Sequence, residues 1–231
     1  MKLLALFAAV LLLPQEKKEA EALFKKAEEK LAKAKSVHVK SSGSSAMGAG
    51  EMTLTVEALW EGENRVRVES EMKVPGMDGQ KSVFVSDGKS ARSSDGEKTL
   101  AGAAREKLTG DLAKAWLRGG GMFTAMWIEV ATFKDKDHPK REKLPVCSKF
   151  KLGPKEKIDG RDVHRIEYSG EFESGEVPCV VWIDAETLLP LKREMRGFHG
   201  QEKLTFVETF TGFKLDEKIE SSKFEIPKES K

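Results

Sequence analysis

The chain has 231 residues, of which 39% are hydrophobic and 34% charged, within the range of one ordinary globular domain. Its 40 Lys and Arg against 38 Asp and Glu leave a formal net charge of +2, too little for the basic field that recruits nucleic acid. There are 20 Gly, 8 Pro and no fixed-period repeat, which excludes collagen, solenoids and propellers, and the apolar runs recur too often for a disordered polyelectrolyte.

Met1-Lys2 is followed by an apolar stretch from Leu3 to Leu13 that ends at Pro14-Gln15, the pattern of a secretory leader over residues 1–15. Its eleven apolar residues fall short of the roughly 20 that a membrane-spanning helix needs. No small-x-small site follows Leu13, so the cleavage point is not fixed, and no Cys near the leader's end offers a lipid anchor. Residues 16–231 are expected to form one exported domain. Cys147 and Cys179 are the only cysteines; an oxidising compartment permits a bridge between them, and two buried thiols fit equally well.

From Glu16 to Lys35 the spacing of Ala20, Leu23, Phe24, Ala27, Leu31 and Ala34 predicts an amphipathic helix with one buried face. Its other face, with pairs such as Glu21 and Lys25 or Glu29 and Lys33, is solvated. After Ser36 the period falls to two, in Val37 and Val39, then Met52, Leu54, Val56 and Ala58, then Val66, Val68 and Met72, then Val83 and Val85. These predict antiparallel strands with one wet face. Four Asp-Gly pairs, at 78–79, 87–88, 95–96 and 159–160, are expected to supply the positive φ angles of tight hairpin turns.

Strand signals stop between Leu100 and Phe133. Ala103 to Leu117 predicts a helix, Gly119-Gly120-Gly121 breaks it, and Met122, Phe123, Ala125, Met126, Trp127, Ile128 and Val130 form a second apolar helix. A charged loop from Lys134 to Lys143, expected to be mobile, leads to strands at 145–152, 163–169, 177–184, 190–196, 202–211 and 223–226. About eleven strands interrupted by helices predict an α+β or barrel-like domain with its helices at one side of an antiparallel sheet.

The common catalytic signatures are missing. His38, His138, His164 and His199 stand far apart and outside any H-E-x-x-H pattern, so no metal site is expected. Gly43-Ser44-Ser45 lacks the second Gly of a nucleophile elbow, Gly48-Ala49-Gly50 lacks the third Gly of a dinucleotide fingerprint, and the Gly119–121 run has no Lys-Ser or Lys-Thr behind it. Neither a cofactor nor an enzymatic activity is expected.

Lys81-Ser82-Val83-Phe84-Val85-Ser86-Asp87-Gly88-Lys89 resembles the hairpin of the periplasmic lipoprotein-carrier family, the LolA/LolB-like fold, where a strand runs out into S-D-G-K. Upstream, the amphipathic helix, a short strand, Leu59-Trp60 and Asn64-Arg65-Val66-Arg67-Val68 are similar to that family's early strands. Downstream, Val181-Trp182-Ile183-Asp184-Ala185-Glu186-Thr187-Leu188-Leu189-Pro190-Leu191 resembles its strand, turn and strand, and Phe224-Glu225-Ile226-Pro227 resembles its closing strand.

The resemblance implies a half-open antiparallel β-barrel of about eleven strands, covered by helices, whose apolar interior accepts lipid or lipoprotein acyl chains. Trp60, Val66, Val68, Val83, Val85, Met122, Phe123, Met126, Trp127, Ile166 and Trp182 are the expected ligand contacts. With the leader, a periplasmic or otherwise secreted monomer capable of transient membrane contact is expected. The alternative is an envelope sensor or structural domain of the same fold that binds a protein partner. The family's carriers have an Arg-Pro pair after the Trp-containing strand, and that arginine helps govern release; here Glu61-Gly62-Glu63 stands in its place, with no arginine before Arg65. The residues themselves leave 122–127 open to two readings, a lid that swings on the glycines or a core helix that closes the barrel. Trp60 and Trp182 either line the cavity or plug it.

Overall fold

The computed structural model describes residues 2–47, 50–133, 142–199 and 202–227, with side chains over 17–46, 50–133, 142–197 and 204–227. In chain order the elements are α1 (Lys2–Lys33), β1 (Ser36–Met47), β2 (Gly50–Glu61), β3 (Arg65–Lys73), β4 (Gln80–Asp87), β5 (Ser90–Ser94), β6 (Thr99–Ala103) and α2 (Leu108–Phe133). There follow β7 (Val146–Leu152), β8 (Glu156–Ile158), β9 (Arg161–Phe172), β10 (Gly175–Asp184), β11 (Pro190–His199), β12 (Glu202–Leu215) and a short 3-10 helix, Ser221–Phe224.

All twelve strands belong to one antiparallel sheet of order β6-β5-β4-β3-β2-β1-β12-β11-β10-β9-β7, with β8 also paired to β9. The first meander runs from the centre of the sheet to the β6 edge, and the second starts at the β7 edge and returns to the centre, where β12 pairs with β1. The edges do not pair with one another among the described residues, so the barrel is half open. This topology gives α2 its place: it carries the chain from one edge to the other and must cross a face of the sheet to do so.

Strand alternation separates the two faces. Val37, Val39, Val56, Ala58, Trp60, Val66, Val68, Phe84, Ile166, Val181, Met195, Phe206 and Phe210 point to the helix-covered inner face and form one core with Ala20, Phe24, Ala27 and Leu31 of α1 and with α2. The period-two and period-3.6 signals of the sequence therefore meet in a single buried layer. Among the described residues, no helix is long and apolar enough to cross a membrane.

Several expectations need correction. Strands β5, β6 and β8 are present although their short, Ser- and Gly-rich or charged sequences carry no apolar alternation; pairing with a neighbour holds them. The helix begins at Leu108, since Thr99–Ala103 is spent on β6. The closing strand expected at 223–226 is instead the 3-10 turn Ser221–Phe224 and an extended tail on the outer face. There Arg65 lies over the Phe224 ring at 5.4 Å, Arg67 donates to Lys223 O at 3.4 Å and Arg92 to Pro227 O at 2.8 Å. Of the Asp-Gly pairs, Asp159 (φ 49°) and Gly160 (φ 78°) make the two-residue left-handed turn between β8 and β9, but at 78–79 the positive φ falls on Gly76 instead. The charged loop from Lys134 to Lys143 lies, except for Glu142 and Lys143, outside the described residues.

Candidate functional site

Gly120, with φ 75° and ψ −172°, divides α2 into halves at residues 108–119 and 121–133. That backbone conformation is one that essentially only glycine adopts. The first half carries Asp111, Lys114 and Arg118 on one partly exposed face; Leu108, Leu112, Ala113, Ala115, Trp116 and Leu117 are buried, and the Trp116 ring lies 6.2 Å from both Trp60 and Phe210. The second half buries Thr124, Trp127, Ile128 and Ala131 but turns Met122 and Phe123 partly outward, and Met126 is 62% exposed. Phe123 meets Phe172 of the β9–β10 hairpin edge-on at 5.4 Å.

Beneath the break, the inner face carries two fully buried charges on neighbouring strands, Arg193 of β11 and Glu208 of β12, which are paired in register. The Arg193 guanidinium donates to the carbonyls of Trp116 at 3.3 Å and Leu117 at 2.5 Å, and to the Tyr168 hydroxyl at 2.9 Å. Tyr168 in turn donates to Arg118 O at 2.9 Å. Sheet side chains thus satisfy the carbonyls left over where the first half ends, with a cation at the negative end of the helix dipole. Across the break, Glu208 Oε1 accepts from Gly121 N at 2.8 Å, an anion at the N-terminus of the second half.

The two charges are not equally satisfied. Arg193 has three partners and one idle Nε, whereas Glu208 Oε2 has no hydrogen-bond partner among the described residues. Burial pushes the Glu208 carboxyl up from its ordinary 4.5, although Arg193, the neighbouring Ser41 hydroxyl and the Gly121 N–H all favour its charged form. Burial also drives the Tyr168 phenol well above 10, so it stays a neutral donor.

The first half of α2 is tied at its other points as well. Thr109 donates its N–H to Glu63 O at 3.0 Å and its hydroxyl to Gly62 O at 2.7 Å, in the β2–β3 turn. Arg118 forks onto Glu28 of α1 at 2.7 and 2.9 Å and reaches Pro145 O at 3.2 Å. The second half has Glu208, a Ser93–Glu129 hydrogen bond and the Trp127 indole on Glu142 O at 3.0 Å.

Of the residues expected at a ligand cavity, the structure brings Trp60, Val66, Val68, Ile166 and Trp127 together in the buried core against the helices. Met122 and Phe123 pack on the edge of that core, and Met126 faces solvent. Val83, Val85 and Trp182 are on the opposite face, because Phe84, Val181 and Ile183 take the inward phase of their strands. Val85 is buried in the region that the C-terminal tail crosses. Trp182 forms a separate cluster with Val163, Val180 and Leu191, its ring flanked by Lys192 Nζ at 4.8 Å and Arg165 at 5.7 Å, with its indole donating to Glu156 at 2.7 Å. The sequence-based list omits Arg193, Glu208 and Tyr168.

Two grooves, of about 220 Å³ and 390 Å³, open beside outward-facing residues: Lys149, Arg165, Glu167 and Arg196 in the first, and Lys40, Glu57, Glu69, Glu71 and Lys81 in the second. The first mixes polar and apolar surface and the second, which Val56 and Val83 also line, is mostly apolar; neither is lined by a residue of α2. Cys147 and Cys179 are free thiols. They stand on strands either side of β9, opposite Gly170 and Tyr168 respectively. Burial pushes the Cys147 thiol up to about 12 and raises that of Cys179 too. Both should therefore resist iodoacetamide at pH 8 until the chain is unfolded in urea, and rapid alkylation of the native protein would show that the β7 edge opens.

The architecture is similar to solved structures of low sequence identity. A LolA superfamily protein from Nitrosomonas europaea is 14% identical, over 90% of this chain and 97% of that one, with a TM-score of 0.35. LprF from Mycobacterium bovis is 13% identical over 85% and 93%, with a TM-score of 0.42. In the Pseudomonas aeruginosa MucA/MucB complex, the match is 15% identical over 88% of this chain and 61% of that one, with a TM-score of 0.43. This chain's own open twelve-stranded antiparallel sheet with two helices on one face has the form that the sequence resemblance implied. No family model matches the chain. No curated protein matches it either.

Proposed function

We propose that the chain is an extracytoplasmic binding protein, not an enzyme, that takes acyl chains or another hydrophobic ligand between the second half of α2 and the inner face of the sheet. Residues 1–15 would serve as its export leader and 16–231 as one domain, periplasmic or otherwise secreted. The observation that carries this reading is the break at Gly120, followed by a half-helix that leaves Met122 and Phe123 half-buried at the core's edge and Met126 exposed above an apolar sheet. Met is flexible and polarizable, and suits a surface that must repack around a chain. Each methylene taken from water contributes about 0.8 kcal/mol, so an acyl chain could replace the contacts that the half-helix gives up.

The test pairs a fluorescent fatty-acid probe with urea denaturation. Met126→Gln touches a side chain already in water, so its midpoint should stay within about 0.5 kcal/mol of the parent while probe affinity falls. Phe123→Asn removes the Phe172 contact, and should cost about 1–2 kcal/mol of stability and weaken the probe about tenfold. Loss of midpoint with unchanged probe affinity in both variants would sink the reading. Organic extracts of the purified protein, analysed by mass spectrometry, should contain bound lipid; a co-purifying protein chain in its place would favour the envelope-partner alternative.

A further inference from the structure

We infer that Arg193 and Glu208 divide the work at the break, Arg193 fixing the first half of α2 and Glu208 acting as the releasable cap of the second, so that the inner face opens only by residues 121–133 lifting about Gly120. The inference deepens the binding reading above and rests on it for its purpose, but the motion itself is tested without ligand.

The asymmetry of the two charges carries the argument. Arg193 reaches three acceptors on two elements, Trp116 O and Leu117 O at the end of the first half and the Tyr168 hydroxyl on β9. Withdrawal of the first half would strand the buried guanidinium and the Tyr168 hydroxyl together. Withdrawal would also break the Arg118–Glu28 fork to α1 and the three Thr109 bonds to the β2–β3 turn.

Glu208 stands differently. One of its oxygens accepts from Gly121 N, and the other is buried with no hydrogen-bond partner among the described residues. A buried carboxylate with an idle oxygen gains hydration when its cover leaves. Lifting the second half gives Glu208 water in exchange for one N–H. The glycines make the motion local. At Gly121 a Cβ would stand 2.6 Å from Glu208 Oε1 and 2.7 Å from Ser41 Oγ, so the helix can close onto the carboxylate only because no side chain intervenes there. Gly120 supplies a pivot whose backbone is already non-helical.

The groups that face Glu208 from the packed elements are few. β11 contributes Arg193 and, through it, β9 contributes Tyr168; β1 contributes the Ser41 hydroxyl; and α2 contributes the Gly121 N–H. The remaining charge at the break, Arg118, is engaged by Glu28 of α1.

Native-state hydrogen exchange of the whole chain, read by peptide mass spectrometry, tests the division. In the parent, amides in 122–133 should open more often than those in 109–119. Glu208→Gln keeps an acceptor for Gly121 but carries no charge to hydrate, and should slow exchange in 122–133 by about threefold or more while leaving 109–119 within about twofold. Corrected for intrinsic rates, opening of 122–133 in the parent should become rarer as pH falls from 7 to 5, and the Glu208→Gln protein should lose that dependence. Arg193→Lys, which cannot fork, should speed exchange in 109–119; if it fails to fold, the Glu208→Gln and pH arms decide alone. Equal opening of both halves, or faster exchange in 122–133 of Glu208→Gln, overturns the inference. The fatty-acid probe is read separately: a parent that shows the two-speed pattern and binds no probe keeps the moving half-helix and loses the hydrophobic-ligand reading.

Discussion

Gly120→Ala should lower the unfolding free energy by about 2–4 kcal/mol, read as a fall in the urea midpoint at unchanged slope. Two effects add. At φ 75° and ψ −172° a side chain is strained whatever the space around it. The new Cβ would also lie inside van der Waals contact with Glu208 Oε2, and at 3.3 Å from Arg193 Cδ, where the sheet cannot yield without uncapping both halves of α2. Gly110→Ala supplies the control within the same helix. Nothing lies within 4 Å of its Cβ position and its φ is not in the left-handed region, so this exchange should be neutral or stabilise by up to about 1 kcal/mol. A Gly120→Ala midpoint equal to the parent's would mean that α2 has an alternative path across the break, and that the clamp beneath it does not hold.

Arg193→Met should cost about 3–5 kcal/mol, because it leaves Glu208 as an uncompensated buried charge and frees the carbonyls of Trp116 and Leu117. Removing both charges, in Arg193→Met with Glu208→Gln, should recover a large part of that loss, since a buried pair is costly chiefly when broken. The pH dependence has a definite sign. The Glu208 carboxyl is raised in the folded chain, so its contribution to stability is fully present below its unfolded value near 4.5 and is lost as pH rises through the native value. Arg193 opposes that rise, so without it the carboxyl moves further up and the Arg193→Met protein should lose stability more steeply than the parent between pH 5 and pH 8. Urea midpoints at the two pH values measure it. A double variant no more stable than Arg193→Met, or a single variant without the steeper slope, would show that Arg193 serves the carbonyls alone.

The pair leaves a mark in the sequence. In Leu191-Lys192-Arg193-Glu194-Met195 and in Phe206-Val207-Glu208-Thr209-Phe210, each buried charge holds a position whose neighbours two residues away are apolar. A charge in the inward phase of a strand either terminates the strand or is paired, and both strands run on. What no local pattern supplies is the partner, because Arg193 meets Glu208 only through the β11–β12 register and meets α2 only because the chain crosses from the β6 edge to the β7 edge.

Local spacing determined α1 from Glu16 onward, though not its continuity with residues 2–15, and the longer strands and the broken helix, because apolar period and a glycine run act over a few residues and need no distant partner. The half-open, helix-covered plan came from the family resemblance that short hairpin motifs carry, not from spacing. Only tertiary structure decided which phase of a strand faces the helices. Val83 and Val85 alternate as well as any core pair, yet the register with Val68 and Val66 turns Phe84 and Ser86 inward. The outer face can bury Val85 because residues 221–227 fold back where Arg65, Arg67 and Arg92 meet them. The same holds for Trp182, which Arg165 and Lys192 sandwich on that face. A strand has two faces and its sequence marks both; which of them is covered by helices depends on contacts made by residues far along the chain, where local propensity has no reach.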